Sequence, residues 1–220
     1  MFRGVADEKI LIWLAGLALL IAGCSATLNP KQQLKTTTAT VQTQVQKEQA
    51  ALKIIGDSVG AFPSTFEKAY QDHPDTDFRN DDGPVKKLLA KRAAAFKQLE
   101  AANTALVNAN NTLTKLNNQP TDDTPQTQVN KVLTSLKLAK LDHKTLVSYY
   151  REMQTAEDAF FDNTADSEET SQADLETQIS QLNQYYSSLN QQIDVMTANL
   201  TTVSSQADSL AKAVKTMHDD

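Results

Sequence analysis

The stretch LETQISQLNQYYSSLNQQIDVMTANLTTVSSQADSLAKAVKTM covers residues 175–217. Leu175, Ile179, Leu182, Tyr186, Leu189, Ile193, Met196, Leu200, Val203, Ala207, Leu210, Val214 and Met217 alternate steps of four and three without a miss. Such a seven-residue repeat places every apolar side chain on one narrow stripe of a helix. The stripe stays aligned only if the helix supercoils left-handedly against partner helices. Between these positions stand Ser, Thr, Asn and Gln, which suit a solvated face. This segment must therefore be a long helix in a bundle, and the rest of the chain has to supply its partners.

Three further helical stretches supply them. Asn29-Pro30 opens the first, with Asn29 as N-cap and Pro30 in the first turn. Its stripe is Leu34, Val41, Val45, Leu52, Ile55 and Val59, with Thr38 and Glu48 in the same row. Gly56, Gly60 and Pro63 predict a break or bend, and Ser64–Glu67 reads as a capping box that restarts a short helix carrying Phe66 and Tyr70. Residues 72–83 read as a loop. Gly83-Pro84 opens the second long helix, whose seam runs through Val85, Leu88, Arg92, Ala95, Leu99, Ala102, Leu106, Ala109, Leu113 and Leu116. Thr124-Pro125 starts the third, with Val129, Val132, Leu136, Ala139, His143, Leu146, Tyr150, Met153, Glu157 and Phe160. Residues 162–170 read as the last loop, and Ser171 with Asp174 starts the fourth helix. No segment alternates with the period of a strand. Loops of this length make neighbouring helices antiparallel. The expected fold is all-α: an elongated up-down antiparallel helical bundle with coiled-coil-like heptad packing, covering residues 29–220.

The beginning of the chain has a different composition. Residues 10–22, ILIWLAGLALLIA, follow Arg3 and Lys9 and make a run too short for a bilayer core of about 30 Å. The run ends in Ile21-Ala22-Gly23-Cys24, with the only cysteine of the 220 residues. The spacing fits a short signal-peptide h-region followed by a bacterial lipobox: a branched apolar residue and two small ones before a thiol that accepts lipid. The expectation is a lipoprotein signal peptide over 1–23, Cys24 as the lipid-bearing residue, and a tether over 24–28. Two or more acyl chains, such as palmitate, hold a protein far better than one. An uncleaved anchor is the alternative. A single cysteine excludes an internal disulfide and a Cys-based structural zinc site.

Charge narrows the function classes. With 27 acidic against 21 basic residues the net charge is −6, which lacks the basic footprint of a nucleic-acid binder. There is no glycine-rich phosphate loop and no recognisable nucleophile setting, so no catalytic residue and no cofactor is assigned. His73, His143 and His218 have no ligand-type partner at helical spacing, and no metal site is expected; His143 reads as a partly buried register residue. Folding the helices about residues 121 and 167 gathers Arg92, Tyr149, Tyr150, Tyr185 and Tyr186 into one layer, with Tyr149 opposite Tyr185. A core layer with Arg92 over a ring is favoured there over a stacking surface for a glycan or peptide. The loops at one end hold Asp72, Asp75, Asp77, Asp81, Asp82, Asp162, Asp166, Glu168 and Glu169. They read as a solvated acidic pole rather than an EF-hand, because Arg79 and Asn80 occupy positions that want a ligand and a glycine. Below it Lys86, Lys87, Lys91, Arg92 and Lys97 are expected to meet Lys137, Lys140, Lys144 and Arg151 in a basic band. Lys91, Lys97, Lys140 and Lys144 are the candidate contacts for an anionic polymer.

Cys24 with its lipobox, the first helix, and FEKAYQDHPDTDF followed by PVKKLLAKRAAAFKQLEAAN resemble the YkyA-type cell-wall-binding lipoproteins, helical surface proteins of low-GC Gram-positive bacteria. The resemblance spans most of the chain after Cys24. It implies association with the cell wall and supplies no catalytic or ligand motif. The expectation is a non-enzymatic lipoprotein, lipid-anchored on the extracellular face of the cell membrane, that binds wall polymer through its bundle. The alternative is a protein-interaction scaffold for an envelope complex or a wall hydrolase. The sequence does not specify an oligomeric state.

Overall fold

The computed structural model describes residues 29–74, 76–166 and 171–218. The signal segment, Cys24, the tether, Asp75, Glu168 and Glu169 lie outside the described residues. Four helices make up the fold: α1 (Pro30–Asp72), α2 (Pro84–Asn118), α3 (Gln126–Asp166) and α4 (Gln172–Lys215). They form an up-down antiparallel bundle. At about 1.5 Å per residue its longest helices reach roughly 65 Å. The heptad reading holds along α4, where Leu182, Tyr186, Leu189, Met196, Leu200, Val203, Ala207 and Leu210 are all buried. One continuous core runs from Leu34 to Met217, so the bundle closes on itself within the described residues.

The helices do not associate equally. α1 packs along α2, α3 along α4, and α1 along α4, while α2 and α3 meet least. Cross-helix hydrogen bonds fix the register: Gln42 to Asp208 at 2.6 Å and Gln49 to Thr201 at 3.2 Å between α1 and α4, and Asn199 to Asp142 at 2.6 Å between α4 and α3. Asn29 caps α1 by accepting from the Lys31 amide at 2.8 Å, and Ser171 caps α4 by accepting from the Asp174 amide at 3.2 Å.

Two sequence expectations fail, the first for reasons of packing. α1 does not break at Gly56, Gly60 or Pro63; it is one helix of 43 residues with Pro63 inside. Proline removes one backbone donor and costs about 3 kcal/mol in a helix interior. The residues around it outweigh that cost. Phe62 and Phe66 are fully buried, with Phe66 at 4.7 Å from Phe160 and Phe62 at 5.5 Å from Tyr186 between ring centroids. Burying two such rings stabilises the helix by about 1.5–3 kcal/mol each. Ser64 and Thr65 do not cap a new helix; both hydroxyls donate back to the Ala61 carbonyl. At Gly56 a Cβ would sit 3.5 Å from Asn190 and 3.7 Å from Ile193 on α4, so the glycine is compatible with an unbroken helix. The second correction is at the last loop: α3 continues through Asp166 rather than ending near 162.

Candidate functional site

The interior carries two polar layers. In the distal half, Arg92 of α2 is ion-paired to Glu157 of α3, and the Tyr186 hydroxyl of α4 donates to the other oxygen of the same carboxylate at 2.6 Å. All three are nearly inaccessible to solvent. Burial disfavours the Arg92 charge, but the Glu157 carboxylate outweighs it and holds the guanidinium pKa above its ordinary value. Burial, and then the negative charge of Glu157, raises the Tyr186 hydroxyl, so it remains a neutral donor. Phe96 stacks on Tyr150 beside this layer, 3.9 Å between centroids and 6° from parallel.

This corrects the expected tyrosine layer. Arg92, Tyr150 and Tyr186 do come together, but Glu157 organises them. Tyr149 and Tyr185 are 37 % and 44 % exposed and lie outside the layer. Between α3 and α4 the Glu157–Tyr186 and Asn199–Asp142 bonds depart by nine and seven residues from pairing about residue 167, while Gln192 donating to the Asp142 carbonyl keeps it. α3 is longer than its sequence breakers suggest, and loop length alone does not set the stagger. Glu157 was visible in the sequence as an acid on the α3 stripe; its partner was not.

The second layer is nearer the proximal end, where α1 begins and α4 ends. Glu48 of α1 is 1 % exposed, and neither carboxylate oxygen has a hydrogen-bond partner. Burial, reinforced by Glu100 on α2, pushes its pKa up to about 8. Glu48 therefore holds a proton at neutral pH. His143, the expected register residue, is buried on α3 and its Nε2 lies 2.8 Å from Glu100. Burial keeps its pKa below the ordinary value despite Glu100. The Thr38 hydroxyl and His143 Nδ1 are also buried without partners. These seam residues were singled out by position, and only the structure shows that they are unsatisfied.

On the outside, α2 and α3 diverge around a cleft of about 240 Å³. Leu106, Leu133 and Leu136 form its floor, Asn103 and Asn110 one wall, and Lys137 and Lys140 the other. Among the described residues no carboxylate lines it. Residues 101–121 and 124–141 contain no Asp or Glu. Lys144 and Arg151 continue the lysine edge on α3 at helical spacing.

Of the expected basic band, Lys137 and Lys140 line this cleft. Arg92 is turned inward to Glu157, and Lys86 is tied to Asp82 at 3.0 Å. Lys91 lies about 140° around α2 from Phe96, which faces α3, and so sits on another flank. Lys97 is exposed, one residue beyond Phe96 and outside the cleft rim. Of the four expected polymer contacts, Lys140 lines the cleft, Lys144 adjoins it, and Lys91 and Lys97 do not line it.

The distal loop is better ordered than its composition suggests. Phe78 inserts into the aromatic cluster 5.0 Å from Phe66, and Arg79 pairs with Asp162 at 2.6 Å while lying over the Phe161 ring. Asp77 accepts from Asn80 at 2.7 Å and from the Arg79 amide at 3.1 Å, which lowers its pKa. Among the described residues, no group of three or more His, Cys, Asp or Glu is placed to hold a metal ion, and no helix is long and apolar enough to cross a membrane.

Fold and surfaces together define an all-α antiparallel four-helix bundle with one open seam. No family model matches the chain, and no curated protein or solved structure is significantly similar to it.

Proposed function

We propose that this protein is a non-enzymatic, lipid-anchored surface lipoprotein that binds an anionic cell-wall polymer along the open α2–α3 seam. The observation that carries the reading is the carboxylate-free cleft edged by Lys137 and Lys140 on a chain of net charge −6. Local positive potential of this kind attracts a polyanion that the whole protein would repel. The asparagine wall suits hydroxyl groups between the charges. The lipobox ending at Cys24 supports attachment to the membrane, and the resemblance to wall-binding lipoproteins points to the same compartment. Both buried polar layers are enclosed by packing and serve the bundle rather than a substrate.

Cosedimentation of the bundle with purified sacculi that bear teichoic acid tests this. Binding should occur at low salt, weaken with added salt, and be lost on Lys137→Glu with Lys140→Glu. If the wild-type bundle stays in the supernatant at low salt, wall binding is wrong. The scaffold reading finds its support in the same cleft, which could receive an acidic protein segment. Crosslinking in intact cells from the cleft separates the two, since capture of an envelope protein points to the scaffold, whereas sacculi stripped of teichoic acid should no longer retain a polymer-binding bundle.

A further inference from the structure

The charges along the rod are sorted by height. The cross-helix pairs Gln49–Thr201, Asn199–Asp142 and Glu100–His143 mark its middle. On the proximal side, residues 29–50, 104–142 and 200–218 hold nine lysines against five acids. On the distal side, the described residues of 51–103 and 143–199 hold ten basic residues against fifteen acids. The uneven part of the proximal half is its tip. Lys31, Lys35, Lys115, Lys131, Lys212 and Lys215 all lie within six residues of a helix end there, about 9 Å along the axis. Asp122 and Asp123 in the α2–α3 loop oppose them, and Asp219 and Asp220 follow the described residues.

The tip is also shaped. A cleft of about 560 Å³ opens between the start of α1 and the end of α4. Lys31, Lys35 and Lys215 line it with Asn29, Gln32 and Gln42, and among the described residues no carboxylate lines it. Lys31 Nζ also donates to the Met217 carbonyl at 2.7 Å, and Asp208 accepts from Gln42 at its edge. Val214, Ala211 and Ala39 give the cleft an apolar side. Lysines over an apolar wall match a phospholipid headgroup with the first carbons of its chains.

We infer that the proximal tip docks on membrane surfaces rich in anionic phospholipid, with Lys31, Lys35 and Lys215 seating a headgroup and the acidic half of the rod turned away. The orientation rests on the lipid-anchor reading. Cys24 precedes Asn29 by five residues, at most about 18 Å of chain, which brings the tip to the bilayer. Attraction between lysines and such a surface acts within about 10 Å at 0.1 M salt, and all six tip lysines fall within that depth. The contact is a second attachment beside the lipid. The headgroup affinity itself does not require the anchor.

The test uses residues 25–220, which contain the whole core. Flotation with phosphatidylcholine vesicles, with and without phosphatidylglycerol, reads the contact directly. Binding is expected only with phosphatidylglycerol, and high salt should abolish it. The combination Lys35→Glu, Lys212→Glu and Lys215→Glu leaves the Lys31–Met217 bond in place and should weaken binding at least tenfold with unchanged circular dichroism. Lys137→Glu with Lys140→Glu should leave vesicle binding intact while sacculus binding falls. Absence of binding to phosphatidylglycerol vesicles overturns the inference. Equal binding to neutral vesicles overturns it too, as does a tip variant that loses sacculi and keeps vesicles. Sacculus failure with vesicle binding preserved would defeat only the wall reading.

Discussion

The two halves of the rod solve the same packing problem with different chemistry. The distal half is aromatic: Phe62, Phe66, Phe78, Phe160, Phe161 and Tyr186 form one ring cluster, and its buried charges are paired. The proximal half is aliphatic and small: Leu34, Val41, Val45, Ala109, Leu113, Val203 and Ala207. It buries Glu48 and Thr38 without partners. The difference teaches where stability is concentrated. The ion-paired layer beside the ring cluster fixes register although Arg92 Nε and Nη1 are buried without partners, whereas an unpaired carboxyl costs stability wherever it ionises.

The sharpest way to break this contrast is to unpair the distal layer. Glu157→Ala leaves Arg92 buried and alone, and should cost about 3–5 kcal/mol in urea unfolding. Replacing Arg92 and Glu157 by Met together with Tyr186→Phe should recover most of that loss, because no charge is then stranded. If the single variant unfolds as the wild type does, the layer is not the anchor claimed for it.

Next in size is the proximal layer, where the sign reverses. Glu48 titrates near 4.5 when unfolded and at about 8 when folded. Its contribution is complete below pH 4.5 and is lost as pH rises through 8. At pH 7 the loss is on the order of 3 kcal/mol. Glu48→Leu should therefore stabilise the bundle at pH 7 and flatten its stability between pH 5 and 8. His143 acts in the opposite direction: its pKa is held below 6.5, so its contribution is present above that pH and lost on acidification through the lowered value. Unfolding midpoints measured across pH 4–9 in the wild type and in Glu48→Leu separate the two groups.

The caps should treat the halves alike. Asn29→Ala at the proximal end and Ser171→Ala at the distal end should each cost about 1 kcal/mol, read by thermal unfolding. Smallest of all is Lys53→Ala, which removes an exposed pair with Asp57 at 2.7 Å and should change stability by no more than about 0.5 kcal/mol.

Much of this architecture was legible in the heptads, because one buried stripe per helix is a local property. The seams of α2, α3 and α4, the Asn29 and Ser171 caps, and the burial of His143 all followed from spacing. What spacing does not carry is height. Whether Tyr149 meets Tyr185 or Glu157 meets Tyr186 depends on how far one helix slides past another, and loop composition does not set that slide. Pro63 misled for a related reason. Its local penalty was readable, but the rings that override it come from α3 and α4, about a hundred residues away in sequence. The surfaces were half legible: the charge of each lysine was known, but which flank it occupied depended on the neighbours. Lys91 and Lys97 looked equivalent to Lys140 until α3 was set beside Phe96.

The open seam has a topological consequence. The chain passes directly from α2 to α3 through residues 119–125, yet these two helices are each other's weakest neighbours. α2 is held by α1 and α3 by α4, and the α1–α4 contact is the spine of a book whose fore-edge is open. The connection at 119–125 is a clasp across that fore-edge and not a hinge on which the pages turn. Severing it would leave two complementary hairpins, residues up to 119 and residues from 125, able to find each other as separate polypeptides.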